Sequence, residues 1–431
     1  MKPIAGLVLL LLTACHSFAQ LPFSSLEEVL QYADKHSIAA RQSDLQLAIS
    51  KKDETINKSG LLPKLNIYST ADYYPIITTQ LIPESIFGGS SDKFRKVQFG
   101  LPLSFAAGAE LTVPVINPER WEQLKRIRLQ SMQTAWNSKA NLEGLHIQVT
   151  QWYYQYLLAA QLVQLNKSNQ QVTNELLRVL EERKRNGVLN PADFNRSKNL
   201  QLDMQSAGIE YEKNLRQSVI VLKQLLNLPD SVSLQLTDSL TAKTILPAQD
   251  ENAVSSRPAW KEAEAKLSVA QQQLKEIQKA ALPKLAFTGK YTYQWQMKPS
   301  AGEHVNFDYS SLGLRLDFPL FQGSFYRAGR QKATLQVALA KTQQQQTVNE
   351  LGRQQAEWRN NYRAALEKIP VLQQKLAVAA ENLRIAQLNI KEGVMEFDEF
   401  NNIFQEYNKA RLDNLQNLGD GLVYQLLLNI K

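Results

Sequence analysis

The chain has 431 residues, a formal net charge of +8, 44% hydrophobic and 21% charged residues. That apolar content excludes global disorder, and a mean hydropathy of −0.33 is too low for a polytopic helical membrane protein. The sole cysteine, Cys15, excludes a disulfide framework and a cysteine-based zinc site, and the four histidines, His16, His36, His146 and His304, are scattered. Positive charges interleave with Glu and Asp and form no basic block, so the excess reads as a solvated surface and no nucleic-acid partner is expected.

Residues 1–19 read as an export signal. Met1-Lys2 is a short positive region, Ile4 to Leu12 an apolar one, and Ser17-Phe18-Ala19 a cleavage pattern before Gln20. A second reading stands beside it. Leu12-Thr13-Ala14-Cys15 has the form of a bacterial lipobox, which would leave a lipidated Cys15 at the mature N-terminus. Either way the chain leaves a bacterial cytoplasm. Ser25, followed by Glu27-Glu28, opens the first helix signal.

The remainder is a duplication. Leu62-Pro63-Lys64-Leu65 returns as Leu282-Pro283-Lys284-Leu285, each copy after a helix-patterned segment and before a strand-like one. Leu111-Thr112-Val113-Pro114-Val115 corresponds to Leu316-Asp317-Phe318-Pro319-Leu320. At one constant offset, Trp152, Tyr156, Gly187 and Phe194 correspond to Trp358, Tyr362, Gly393 and Phe400. The first repeat covers 20–226, with strands at about 64–80 and 96–116 and a helical hairpin over about 119–226. A connector over 227–256 includes a short alternating strand, Val232, Leu234 and Leu236. The second repeat covers 257–431, with strands at about 284–296 and 304–320 and a hairpin over about 325–430. The Gly-, Ser- and Pro-rich stretch from Pro75 to Lys96 is extra in the first copy and reads as a long loop.

From Glu119 to Asn186 there is no proline and one glycine, Gly144. A helix of that length approaches ~100 Å and must lie against other helices. Its counterpart from Phe325 to Glu392 carries Pro370, a candidate kink. The strands alternate apolar and polar residues: Val97, Phe99, Leu101 and Leu103; Val305, Phe307 and Tyr309; Leu312, Leu314, Leu316 and Phe318. Aromatic residues gather at their ends. This fits lipid-facing strands with an interfacial girdle, and equally a half-buried soluble sheet. Four strands cannot close a barrel, so a membrane role requires several chains to share one.

These features together resemble the TolC-like outer-membrane factor family of bacterial efflux and type I secretion systems. The residues that carry the likeness are Ser25 through His36, the paired Leu-Pro-Lys-Leu strand entries, Arg257-Pro258-Ala259-Trp260 and Phe318-Pro319-Leu320-Phe321-Gln322-Gly323. The turns Asn186-Gly187-Val188-Leu189 with Asp193-Phe194, and Glu392-Gly393-Val394-Met395 with Glu399-Phe400, complete it. The resemblance implies a mainly α fold with β: a homotrimer whose chains each give four strands to a 12-strand outer-membrane barrel, above a periplasmic α-helical barrel. It implies a passive exit duct in outer-membrane lipid, met by a periplasmic adaptor and an RND- or ABC-type inner-membrane pump, with no cofactor. The tips around Gly187, Val188, Asp193, Gly393 and Val394 would dock the adaptor. Glu399, with Asp398, would form a constriction ring. Asn402 stands where the family can place a second acidic residue, and Met395 where it can place a basic gating residue.

The residues themselves leave simpler readings open. A glycine that ends a helix needs no partner, a carboxylate at Asp193 can cap helix amides, and an acidic turn can be merely solvated. An exported coiled-coil adaptor or structural protein with a small soluble β domain is the alternative whole-chain reading. No catalytic motif is present, so no enzyme activity is expected.

Overall fold

A computed structural model describes residues 20–90, 92–240 and 254–429. The export signal and Cys15 lie outside the described residues, as does part of the connector. In chain order the elements are β1 (Gln20–Phe23), α1 (Leu26–His36), α2 (Ile38–Ser59), β2 (Lys64–Tyr73), β3 (Thr79–Pro83), β4 (Phe94–Gln98), β5 (Leu103–Ile116), α3 (Pro118–Arg185) and α4 (Pro191–Leu226). There follow β6 (Ser233–Leu236), α5 (Pro258–Lys279), β7 (Lys284–Lys298), β8 (Glu303–Asp317), α6 (Phe325–Glu392) and α7 (Phe397–Asn429). The fold is mainly α with β, and helix, strand pair and long helical hairpin occur twice.

The chain forms two compact units. The helical unit includes residues 133–240, 254–264 and 343–429 together with the N-terminal segment up to Ala48. Ser25 caps α1, accepting from the Glu28 amide, while the Ser24 amide and hydroxyl donate to the Glu28 carboxylate at 2.7 and 2.9 Å. This reciprocal arrangement satisfies amides that a helix start leaves bare. It holds the Glu28 carboxyl below the usual range, chiefly through the Ser24 amide. β1 pairs in parallel with β6, Phe23 opposite Leu236, so the connector is stitched to the start of the first repeat. Around that stitch Phe23, Val29, Leu145, Val149, Tyr153, Leu222 and Leu226 form one core. Tyr153 donates to Asp238 at 2.9 Å. Burial and then that carboxylate push its phenol up, and burial raises Tyr154 to about 12.

The repeat-equivalent aromatics have diverged. Tyr362 is buried, Trp152 and Tyr156 border the first core, and Trp358 lies under the Arg257 guanidinium at 5.2 Å. Arg257 donates from Nε to Glu143 at 2.7 Å and from Nη1 to Gln354 at 3.1 Å. Both charged side chains are nearly buried, 11% and 6% exposed. α6 runs through Pro370. One turn before it, buried Asn417 donates to the Ala365 carbonyl at 3.0 Å and ties α7 to α6.

The second unit includes residues 49–132 and 265–342, apart from Ser91. Its sheet has the order β2-β5-β7-β8, antiparallel throughout. The helix ends beside it are tied by Arg126 to Glu276 at 2.6 Å, by Gln272 to Glu122 at 2.5 Å and by Lys284 to Glu119.

The register sorts the side chains onto two faces. One bears Leu65, Ile67 and Tyr73, Leu103, Phe105 and Leu111, Leu285, Phe287, Tyr291, Tyr293 and Trp295, then Leu312, Leu314 and Leu316. Phe105 and Trp295 meet there with ring centroids 5.6 Å apart and planes tilted by 32°. The opposite face bears Asn66, Thr70 and Asp72, Ser104, Glu110 and Thr112, and Thr288, Lys290, Thr292 and Gln294. On it Tyr68 lies across Gly108, where a Cβ would come within 2.8 Å of the phenol oxygen, and meets the Thr292 hydroxyl at 2.5 Å.

Two expectations are corrected, and one strand carries a feature its alternation does not announce. The stretch from Pro75 to Lys96 is not a plain loop. It contains β3, a short 3₁₀ turn over Glu84–Phe87, and most of β4, with β3 and β4 forming a separate hairpin. The strand expected over 96–116 is two strands, because Gly100 at φ 106 turns the backbone and Pro102 follows it. Alternation in β8 changes phase at Ser310-Ser311. Leu312, Leu314 and Leu316 share the apolar face, whereas Val305, Phe307 and Tyr309 share the polar one. An unbroken register across a pair of adjacent small polar residues produces that switch.

Candidate functional site: the paired hairpin tips

The α3–α4 and α6–α7 turns close by the same chemistry. The Gly187 amide donates to Lys184 and the Val188 amide to Arg183, at 3.1 and 3.0 Å. The Gly393 and Val394 amides both donate to Asn389, at 3.0 and 3.1 Å. Gly187 and Gly393 have φ of 73 and 87, the left-handed conformation that such helix ends require. Each glycine is followed by an exposed valine, Val188 and Val394, 78% and 76% exposed.

Asp193 does not cap the returning helix. Asn190 does, accepting from the Ala192 amide at 2.9 Å, because its backbone is extended and Pro191 fits the first helical position. Asp193 stands one turn in and faces Arg196 at 3.5 Å.

Beneath the tips, Phe397, Phe400 and Phe404 are buried with Leu176, Leu180, Leu200, Leu383 and Ile390. Phe400 and Phe404 stack at 6.1 Å. Phe194, the counterpart of Phe400, stays half-buried under the Lys184 ammonium at 4.1 Å. The second hairpin therefore anchors this core, and the first presents a cation over its ring.

Near the tips, three polar links among the described residues join the hairpins. Arg196 Nη1 meets Asp398 Oδ2 at 2.6 Å, Lys391 meets Glu175 at 2.6 Å, and Arg183 donates to the Lys391 carbonyl at 3.2 Å. The Lys391 ammonium holds the Glu175 carboxyl below its usual range, first through their hydrogen bond. Arg183 also lies against Gly393, where a Cβ would come within 2.7 Å of the guanidinium.

The expected ring residues thus separate. Asp398 is committed to Arg196. Glu399 is exposed and makes no salt bridge among the described residues. Asn402 is exposed three positions on, and exposed Glu406 follows four further along α7, so Glu399, Asn402 and Glu406 share a face. Glu406, Arg196, Lys391 and Glu175 join the expected residues only in the structure. Helical spacing from Glu399 could have found the first. The others pair across hairpins, Arg196 with a residue 202 positions away, and no local pattern marks that.

Among the described residues no group of three or more His, Cys, Asp or Glu could hold a metal ion, and no helix is long and apolar enough to cross a membrane.

Residues 251–421 match the family described as outer membrane efflux protein. No curated protein sequence matches the chain. Among solved structures, CusC, described as forming a transmembrane channel, matches with a TM-score of 0.77 at 14% identity over 94% of this chain and 90% of its own. The outer membrane protein VceC of Vibrio cholerae matches with a TM-score of 0.74 at 14% identity over 94% of each chain. The MtrE outer membrane channel of Neisseria gonorrhoeae, in its open state, matches with 0.71 at 16% identity over 94% and 88%. The outer membrane efflux protein family is thus matched along most of the second repeat, and the fold of channels such as CusC and VceC is shared along nearly all of the chain.

Proposed function

We propose that three copies of this chain assemble in the bacterial outer membrane as the exit duct of a tripartite efflux or type I secretion system. The observation that carries this is the sheet β2-β5-β7-β8. One face is apolar and banded with aromatic residues, and both edge strands lack a neighbour among the described residues. In lipid an unpaired edge costs several kcal/mol for each bare peptide group, so β8 of one copy pairs with β2 of the next until the barrel closes. The polar face then lines the lumen.

The helical hairpins form the periplasmic duct. Energy comes from an inner-membrane pump of RND or ABC type, and a periplasmic adaptor docks on the tips at Gly187, Val188, Asp193, Gly393 and Val394. The matched tip turns support this, since each offers an exposed valine on a rigid glycine turn. Glu399, repeated around the axis, forms a carboxylate ring that favours cations, with Asp398 occupied by Arg196 and Asn402 adding no charge. Export proceeds by the signal over 1–19 or by lipidation at Cys15.

Size and heat stability test the assembly. The membrane fraction should release the protein only with detergent, as a trimer that resists dissociation in unboiled electrophoresis samples. A monomer released by salt or alkali would overturn the proposal and favour a soluble coiled-coil protein.

A further inference from the structure

The two repeats differ most at one end of the sheet. There β7 and β8 are joined by the turn Pro299–Gly302, whereas β2 and β5 are joined by residues 74–102, which hold the β3–β4 hairpin. Both connections leave the sheet at the same end, because Tyr73, Leu103, Met297 and His304 share one register row.

Three observations bear on this hairpin. First, a two-stranded hairpin alone is at best marginally stable in water, yet Ile76, Leu81, Ile86, Phe87, Phe94 and Phe99 are all more than half exposed. Second, its root bends toward the polar face of the sheet. The Leu101 amide donates to the Gln296 side chain at 3.2 Å, and Gly100 lies against that same side chain. Gln296 projects on the polar face, directly opposite Val305. Third, the phase switch in β8 puts Val305 and Phe307 on that polar face, at this end only. An apolar rim and an apolar hairpin therefore share the same side and the same end of the sheet.

We infer that the hairpin over residues 76–99 folds inward across the outer mouth of the barrel and buries its apolar side against the same hairpin of the two neighbouring copies. The inference rests on the trimeric-channel reading. Copies of this chain are the occupant because β8, which carries the rim, is the edge at which one copy meets the next, so closure repeats the rim and the hairpin root around one axis. The charges agree with a contact among like hairpins. The hairpin carries Glu84 and Asp92 beside Lys93, Arg95 and Lys96, so both signs are present, and Arg95 lies over the Phe87 ring at 5.7 Å. The hairpins form a cover that cargo must displace.

Two variants test this in detergent-purified protein. Ile86→Cys, treated with a short bismaleimide, should give covalent dimers and trimers well above the background of the parental chain, whose sole cysteine is Cys15. Ala301→Cys, in the opposing turn, should give none. Replacing residues 76–99 by Pro-Ser-Ala-Gly should raise single-channel conductance in planar bilayers at least twofold. Conducting trimers that neither cross-link at position 86 nor gain conductance on shortening would overturn the cover and leave the channel standing. Cross-linking with unchanged conductance would overturn closure of the mouth. A monomer without conductance in every variant would overturn both readings.

Discussion

Arg196 and Asp398, 202 residues apart in sequence, meet at 2.6 Å and join the returning helices of the two hairpins. Both side chains are more than half exposed, and an exposed pair contributes only about 0.2–1 kcal/mol. Such a link positions the tips without locking them, so it can yield to a docking partner. We predict that Arg196→Ala widens the periplasmic end and raises single-channel conductance. The swap Arg196→Asp with Asp398→Arg should return conductance toward the parental value. An unaltered conductance in Arg196→Ala would show that the pair does not restrain the tips.

The Glu175–Lys391 link gives the tips a dependence on pH. Lys391 holds Glu175 below its ordinary value, so the native state favours the carboxylate. The link is therefore fully formed above the ordinary glutamate value of about 4.5 and is lost as pH falls through the lowered value. Conductance should rise at acid pH in the parental chain, and Lys391→Gln should show the raised level already at neutral pH. A matching acid rise in Lys391→Gln would assign the step to another group.

Glu399 is predicted to set ion preference. Glu399→Gln should lower the ratio of cation to anion permeability and weaken block by divalent cations, whereas Asp398→Asn should change preference little because Arg196 already offsets that charge. Equal effects of the two variants in reversal-potential measurements would contradict this division.

The nearly buried pair Glu143–Arg257 is a stability element. Glu143→Gln keeps the shape but removes the charge that balances the guanidinium over Trp358. Breaking such a pair costs on the order of 3–5 kcal/mol, and the loss should appear as a lower unfolding temperature of the assembled protein. Arg257→Met together with Glu143→Gln should recover part of it, since no buried charge is then left unpaired. Additive losses in the double variant would rule out the coupling.

At the tips, Val188→Asp and Val394→Asp should abolish copurification of the adaptor while leaving oligomer size unchanged. Gly187→Ala should cost about 1–2 kcal/mol locally through its left-handed backbone, and Gly393→Ala more, because Arg183 must also move. Retained adaptor binding with both valines altered would place the contact elsewhere.

The duplication, the helical lengths and the glycine turns were legible because each rests on local chemistry: a missing proline, a repeated Leu-Pro-Lys-Leu, a glycine where φ must be positive. The phase switch in β8 was half legible. Val305, Phe307 and Tyr309 alternate, as do Leu312, Leu314 and Leu316, but only the pairing of Tyr291 with Ser310 shows that the two sets face opposite ways. The β3–β4 hairpin was hidden by composition, since Gly88, Gly89 and Ser90 at its turn read as a loop. Asn190 and Asp193 are both residue types that suit a helix start, and the extended backbone before Pro191 decides for Asn190. Arg257 stood out in sequence only beside Pro258. Its partner Glu143 lies on another repeat, and pairings between repeats are set by packing rather than by any local pattern.

Conductance of the purified protein in planar lipid bilayers decides whether this chain is a duct. Detergent-extracted trimers should give discrete, cation-preferring single-channel steps without nucleotide or any other energy source. Trimers that insert but never conduct, or protein that stays monomeric and leaves the bilayer sealed, would contradict the duct reading.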